Sequence, residues 1–443
     1  MSPTEPAHHP ETTKPARVPL HWKILIAIGL GALVGYLTGP TASLFGVTFV
    51  AFFDFIGTLF VNALKMLVVP LITASVISGV AGLGSGRDLG RLGGKTLIFY
   101  IVTTLLAVLV ALSMLNVVKP GIADGQPVRA QLAFETNTAD VADKVSRGAG
   151  SLVDTLLGIV PPNILEAAMG GKLLGLVFFC ILFGYFLTRL EPAQAKPVIG
   201  FWQGVFQVMM RMTEFVMKLA PIGVFGLAAR TVAKTGFDAA GPLLLFSATV
   251  LAGLAVYAFV ILPVLVRIVA RVSPWPIFPA MAPALLTAFS TASSSATLAM
   301  SLDCVEKRVG VSSRVTGFVM PLGASLNHAG SALYECAAAM FIAQAYGLHL
   351  SFGHQFTIVV LALITSMGIA GIPAASLVAI AIILTAVGLP AEAIGVLLVF
   401  DRILDMARTT VNVFADACCA VIVARLEGET GIPAGSGALA QLG

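Results

Sequence analysis

Eight long apolar runs and two split ones constrain this chain more than anything else in it. The runs lie near residues 24–40, 48–83, 96–118, 150–189, 199–233, 240–270, 313–346 and 393–424. About 20 apolar residues carry a helix across the hydrocarbon core of a bilayer, so each run is a candidate crossing and the longest must tilt or break. Only 11% of the residues are charged and mean hydropathy is +0.96, whereas roughly a quarter of a soluble domain is charged. The 44 glycines and 24 prolines, poor choices for soluble helices, are frequent in transmembrane ones. The sequence therefore predicts an all-α multi-pass membrane protein of the cell membrane.

The loop charges test the count independently. With the N-terminus inside, Arg87, Arg91 and Lys95 after the second run, Lys196 after the fourth, Arg267 and Arg271 after the sixth and Arg425 after the eighth all face the cytoplasm. The opposite loops 41–50 and 347–353 carry no charge, and 119–147 carries four basic and four acidic residues. Lys and Arg are retained in cytoplasmic loops, so both termini are expected inside and the net charge of +4 needs no nucleic acid. Residues 1–21, polar and proline-rich without a signal-type cleavage site, are expected to be a disordered cytoplasmic tail. Residues 428–443 make a second tail, and 119–147 an extracellular loop.

The same rule fixes the two split stretches, 275–304 and 353–390. A single crossing by either would turn Lys307, Arg308 and Arg314 or the later loops outward, so each must enter and leave on one side. Their centres, "FSTASSSATL" (289–298) and "SMGIAGIPAAS" (366–376), are small, polar or helix-breaking. Non-helical backbone at membrane depth survives only where protein or a watery cavity surrounds it, which predicts two re-entrant helical hairpins meeting at a central site. The order hairpin, crossing, hairpin, crossing is an inverted repeat, and such interrupted pairs point to a binding site.

The eighth run, "FDRILDMARTTVNVFADACCAVIV" (400–423), is a membrane-length helix studded with charge. At 3.6 residues per turn, Asp401, Asp405, Arg408, Thr409, Asn412 and Asp416 share a stripe roughly 100° wide, while Leu404, Val411, Phe414 and Val421 lie elsewhere. A charge at the bilayer centre costs about 2.5–3.5 kcal/mol on insertion scales, so the stripe must be paired or face a cavity. An ion-pair network of Asp401 or Asp405 with Arg408 is one reading. It leaves Asp416 without a cation, which invites an external one. In the seventh run, "PLGASLNHAGSALYECAAAMFIAQ" (321–344), Gly323, Asn327, Ser331 and Glu335 recur at i+4 on one face. Pro321, Gly323 and Gly330 predict local unwinding that exposes carbonyls suited to a hard cation. Glu335, alone in an apolar run, is either a proton carrier or a structural hydrogen-bonding group. Cys180, Cys304, Cys336, Cys418 and Cys419 show no C-x-x-C pair or ligand-spaced histidine and read as packing residues.

"ASSSATL", "PLGASLNHAGSALYE", "GIAGIP", "LTAVGLP", "DRILDMARTTVNVFAD", "LFVNALKMLVVPLITASVISGV" and "APIGVFGL" together resemble, over nearly the whole chain, the dicarboxylate/amino acid:cation symporters. The resemblance implies a homotrimer with an elevator-type mechanism. A scaffold and trimerisation domain (22–92 and 148–235) would flank a transport domain (93–118 and 239–427, with hairpins 275–304 and 353–390), the second hairpin being the external gate. It further implies that Arg408 holds the substrate's side-chain carboxylate and Asp405 its ammonium. Thr409 and Asn412 would bind the amino-acid backbone, with Ser293, Ser294, Ser331, Ile372 and Ser376 closing the pocket. The implied substrate is glutamate or aspartate; a C4-dicarboxylate is the weaker alternative. No bound cofactor is implied, only a co-transported cation.

Departures from the family pattern bear on that cation. Where the family usually reads Asn-Met-Asp-Gly-Thr, this chain has Asn327-His328-Ala329-Gly330-Ser331. The missing carboxylate weakens a sodium site that also draws on Tyr100, Thr103 and Thr104. A second site, drawing on carbonyls near Ser325, Ser366, Met367 and Ile369, acquires His328, a group that titrates near neutrality. Gly323, Asn327, Asn412 and Asp416 remain as a sodium site, open equally to a proton. These changes favour protons over sodium, through Glu335 and His328. The family's second arginine is also missing: its usual positions hold Ala292 and Met406. An intramembrane aspartyl protease would need its aspartates on facing helices, whereas these share one; an anion channel is the remote alternative.

Overall fold

The computed structural model describes residues 20–81, 87–132, 160–169, 173–236, 240–348, 350–368 and 375–433, with the single positions 134, 141 and 238. The expected N-terminal tail up to residue 19, the C-terminal tail from 434, most of the loop 133–159 and the tip of the second hairpin lie outside the described residues.

Helices dominate. In chain order they are α1 (Leu20–Thr38), α2 (Phe49–Ala81), α3 (Arg87–Val118), α4 (Ile164–Met169), α5 (Leu173–Leu187), α6 (Pro192–Lys218), α7 (Ala220–Thr235), α8 (Ala240–Val256), α9 (Leu262–Leu265), α10 (Ile277–Thr291), α11 (Ser294–Asp303), α12 (Ser313–Leu326), α13 (Ala329–Ala345), α14 (Phe352–Gly368), α15 (Ala375–Ala386) and α16 (Ile394–Leu426). Two small antiparallel ribbons qualify the all-α expectation: β1 (Ser43–Leu44) with β2 (Val47–Thr48), and β3 (Ile122–Ala123) with β4 (Gln126–Pro127). Each is closed by two left-handed residues, Phe45-Gly46 and Asp124-Gly125, the backbone that a tight two-residue hairpin requires.

Among the described residues, Leu92–Val118, Ala240–Ala270 and Ala391–Leu426 are long and apolar enough to cross a membrane as single helices. The fifth apolar run is a pair bent by 52° between Pro192–Val216 and Ala220–Lys234. Pro221 in the first turn of α7 lacks the N–H that would continue the helix. The sixth run stays one rod but winds through π-turns at Tyr257–Ile261 and Val266–Ala270 on either side of Pro263, whose missing donor shifts the ladder. The seventh run is not one helix. It parts at Asn327-His328, whose φ/ψ of −102/85 and −111/48 are non-helical. The supposed continuous i+4 face of Gly323, Asn327, Ser331 and Glu335 is therefore split: the first two approach α16 from one side of the break, and Glu335 turns towards α14.

The helices pack in two groups. α1 lies on α7, and α2 on α5, α6 and α7. The other group has α13 and α16 at its heart: α13 packs on α3, α14, α15 and α16, while α10, α12 and α8 pack on α16. Every residue of α13 is buried, the polar Ser331, Glu335 and Gln344 included. Around it, α10 with α11 and α14 with α15 form the two helical hairpins, so the first hairpin's tip, the break in the seventh run and the charged stretch of α16 converge inside the second group. The outer faces of α1 and α6 show Trp22, Ile26, Leu30, Phe201 and Phe215 to the surroundings, apolar surface of the kind that lipid covers. Arg211 and Glu214 pair at 3.5 Å on that exposed surface.

Candidate functional site

Arg408 is the largest fully buried side chain among the described residues. Its Nη1 and Nη2 each donate to Asp401 Oδ1 at 3.2 Å, and Nη2 also donates to Asp405 Oδ1 at 3.0 Å. The guanidinium carbon sits 3.9 Å over the Tyr334 ring of α13, a cation–π contact that partly replaces lost hydration. Asp401 and Asp405 are both 5% exposed. The ion-pair reading of the sequence is thus present, and it engages both aspartates at once. Two anions around one cation leave a negative balance, which Arg402 restores: its Nη1 lies 3.7 Å from Asp405 Oδ2. Removing one partner from such a buried set strands its counter-charge.

One turn deeper, Asn412 fastens α16 to the break. Its Oδ1 accepts from the Gly330 backbone N–H at 2.8 Å, and its Nδ2 donates to Ser331 Oγ at 3.3 Å, satisfying a first-turn donor of α13 that has no helical partner. Asp416 follows one turn further along the same helix. It accepts from Asn327 Nδ2 at 2.8 Å, and no basic side chain pairs with it among the described residues. Gly323 completes this corner, because a Cβ there would strike Asp416 Oδ1 and lie 2.8 Å from the Tyr100 hydroxyl. Tyr100 donates to the Val319 carbonyl at 2.9 Å, and Thr103 to the Phe99 carbonyl at 2.9 Å. Asn327 Oδ1 and Thr104 Oγ1 are buried without a partner. Among the described residues no three His, Cys, Asp or Glu side chains converge, so a cation here would meet one carboxylate and neutral oxygens, ligands suited to a hard ion.

The break also faces the second hairpin. His328 is 3% exposed, and its Nδ1 lies 3.2 Å from the Ser366 carbonyl oxygen near the end of α14. A carbonyl only accepts, so Nδ1 carries the hydrogen; Nε2 has no partner. Glu335 Oε2 accepts from Thr365 Oγ1 at 2.9 Å, while Oε1 is buried and unpartnered. Ser376 is buried at the start of α15 and Thr409 on α16, whereas Ser325 is exposed, its hydroxyl donating to the Pro321 carbonyl at 3.1 Å. Ile369 and Ile372 lie outside the described residues.

The first hairpin turns at Ala292, which takes a left-handed backbone (φ 49). Ser293 then caps α11, its Oγ accepting from the Ala296 N–H at 3.2 Å, and Ser294 is 3% exposed. Arg402 reaches this turn, Nη2 donating to the Thr291 carbonyl at 3.5 Å. Arg402 is one of the charges that interrupt the eighth run, and the sequence alone gives it no role in the site. Its helical angle, about 100° from Asp401, sets it at the stripe's margin, and only a three-dimensional neighbour, the first hairpin, draws it into the cluster.

The profile of the sodium:dicarboxylate symporter family matches residues 20–426. This chain belongs to that family. It is a transporter and not an enzyme, and the aspartates of α16 act on no scissile bond. The symporter is 34% identical over 410 residues to the proton/glutamate-aspartate symporter of Escherichia coli (strain K12), covering 92% of this chain and 93% of that one. It is 35% identical over 428 residues to the proton/sodium-glutamate symport protein of Bacillus caldotenax, covering 96% and 99%. Excitatory amino acid transporter 3 of Mus musculus is 32% identical over 458 residues, covering 92% of this chain and 86% of that one. The symporter's charged cluster, its broken seventh run and its hairpins all fall within the matched region.

Proposed function

We propose that this chain is a secondary active symporter that imports glutamate or aspartate together with a cation, protons being favoured over sodium. The observation that carries the reading is the buried cluster of Asp401, Arg402, Asp405 and Arg408 beside the first hairpin's tip. Two aspartates and two arginines cancel, so an acidic amino acid entering this buried site adds one uncompensated negative charge, and a co-entering cation removes it. That is the electrostatic root of symport. Arg408 has the planar fork for a carboxylate. On loading, the substrate's side-chain carboxylate takes over its donors, and Asp405 turns to the substrate ammonium. Asn412, Thr409 and the serines of the first tip then hold the amino-acid backbone.

For the cation, His328 supports the proton. Its N–H already occupies the Ser366 carbonyl, an oxygen that a metal ion would otherwise coordinate. Glu335, with one free oxygen and one held by Thr365, is suited to carry a proton between the broken helix and the second hairpin. Sodium coupling is the second reading, favoured by Asp416, Asn327 and the space that Gly323 leaves. The two-group packing supports an elevator in which α3 and α8–α16 move against α1, α2 and α5–α7, and the apolar outer faces of α1 and α6 support a homotrimer.

Uptake of labelled glutamate into liposomes tests the reading. Saturable accumulation driven by an inward proton gradient without sodium is expected. Accumulation driven by sodium at constant pH, with none from a pH gradient, ends the proton reading. Unsaturable flux without accumulation replaces the transporter with a channel.

A further inference from the structure

Arg402 has no assigned part in substrate binding, yet its surroundings suit one. Its side chain is 8% exposed, and Nε and Nη1 make no hydrogen bond. A buried charged donor left unmade is costly, and an arriving anion removes that cost. Its two neighbours say where that anion would sit. One is the Thr291 carbonyl, at 3.5 Å, immediately before the tip formed by Ala292, Ser293 and Ser294. The other is Asp405, whose Oδ2 lies 3.7 Å from Nη1 while its Oδ1 is held by Arg408.

Arg402 and Asp405 therefore present a cation and an anion side by side, one turn apart on α16 and beneath a hairpin tip. The head of an amino acid is the complement of such a pair, with its ammonium and carboxylate on one carbon. We propose that Arg402 receives the α-carboxylate of the substrate while Asp405 receives the α-ammonium, leaving Arg408 for the side-chain carboxylate. The proposal rests on the acidic amino acid reading and sharpens it. Asn412, Thr409 and the serines of the first tip supply neutral hydrogen bonds to the same amino-acid backbone, and the charged pair matches the zwitterion at both ends. It also ties loading to the first hairpin, since the same guanidinium donates to the backbone before the tip.

Two analogues of glutamate separate the roles in reconstituted protein: 4-aminobutyrate lacks the α-carboxylate, and 2-aminobutyrate lacks the side-chain carboxylate. In R402Q the KM for glutamate is expected to rise about tenfold or more, the loss of one charge-assisted bond. Inhibition by 4-aminobutyrate should hardly change, so the preference for glutamate over it collapses, while the preference over 2-aminobutyrate persists. R402K, which keeps the charge, should recover part of the loss, and it carries the same comparison should R402Q fail to fold. An unchanged glutamate KM, or equal loss for glutamate and 4-aminobutyrate, overturns the proposal. A wild-type protein that takes up no acidic amino acid overturns instead the substrate reading on which it stands.

Discussion

At the scale of single residues, Arg408 has two tasks that mutation can separate. It neutralises Asp401 and Asp405 in a buried site, and under the proposed reading it offers donors to a carboxylate. R408Q should lose acidic amino acid uptake and also destabilise the fold by about 3–5 kcal/mol, the usual consequence of stranding a buried counter-charge. Adding D401N to R408Q should restore much of the thermal stability, measured as the unfolding midpoint in detergent, but none of the uptake. If uptake returned with stability, Arg408 would be a structural cation only. His328 gives a second test at this scale. Its N–H meets the Ser366 carbonyl, a contact methionine cannot make. H328M is expected to reduce proton-driven glutamate accumulation and leave or raise the sodium-driven part, measured with imposed gradients; an unaltered ratio removes His328 from coupling.

At the scale of elements, much of the architecture was legible in local chemistry. Pro321, Gly323 and Gly330 announced the break in the seventh run, and the Ser-rich segment around 289–298 announced the first hairpin, because these residues lower the cost of leaving a helix. The consequence of the break was not legible. Once the helix parts at Asn327-His328, Glu335 turns to Thr365 of α14, and an i+4 rule applied across the gap misplaces it. Arg402 escaped for a related reason, since helical angle describes one helix and the Thr291 carbonyl belongs to another element. Within α12 itself, two glycines make a controlled comparison. G323A drives a methyl against Asp416 and Tyr100, and overpacking of this kind costs about 1–3 kcal/mol. G317A meets nothing within 4 Å and should be neutral or stabilising by up to about 1 kcal/mol. Unfolding midpoints of the two variants are the measurement, together with cation-driven accumulation, which only G323A should impair.

At the scale of the molecule, the question is whether the two packing groups move past one another. Their shared surface is thinner than the packing within either, with α16 meeting α1 and α7, and α14 meeting α2 and α5. The charges of the α16 cluster all belong to one group, so in the proposed elevator they need never be exposed to lipid: the cluster, its substrate and both hairpins would travel together. A bond across the surface should then arrest transport while leaving binding intact. Leu227 of α7 and Gly395 of α16 suit this, because a Cβ at Gly395 would lie 3.8 Å from Leu227 Cδ2. The five native cysteines are all buried and free, so replacing them by alanine clears the background for L227C/G395C. Bridging the pair through two disulfides with a short bis-methanethiosulfonate cross-linker is expected to abolish glutamate accumulation, with recovery on reduction, while substrate still shifts the unfolding midpoint of the bridged protein. Full uptake by completely bridged protein would mean that the groups do not slide here. The alternation would then have to come from the hairpins alone, opening and closing over a cluster that never moves.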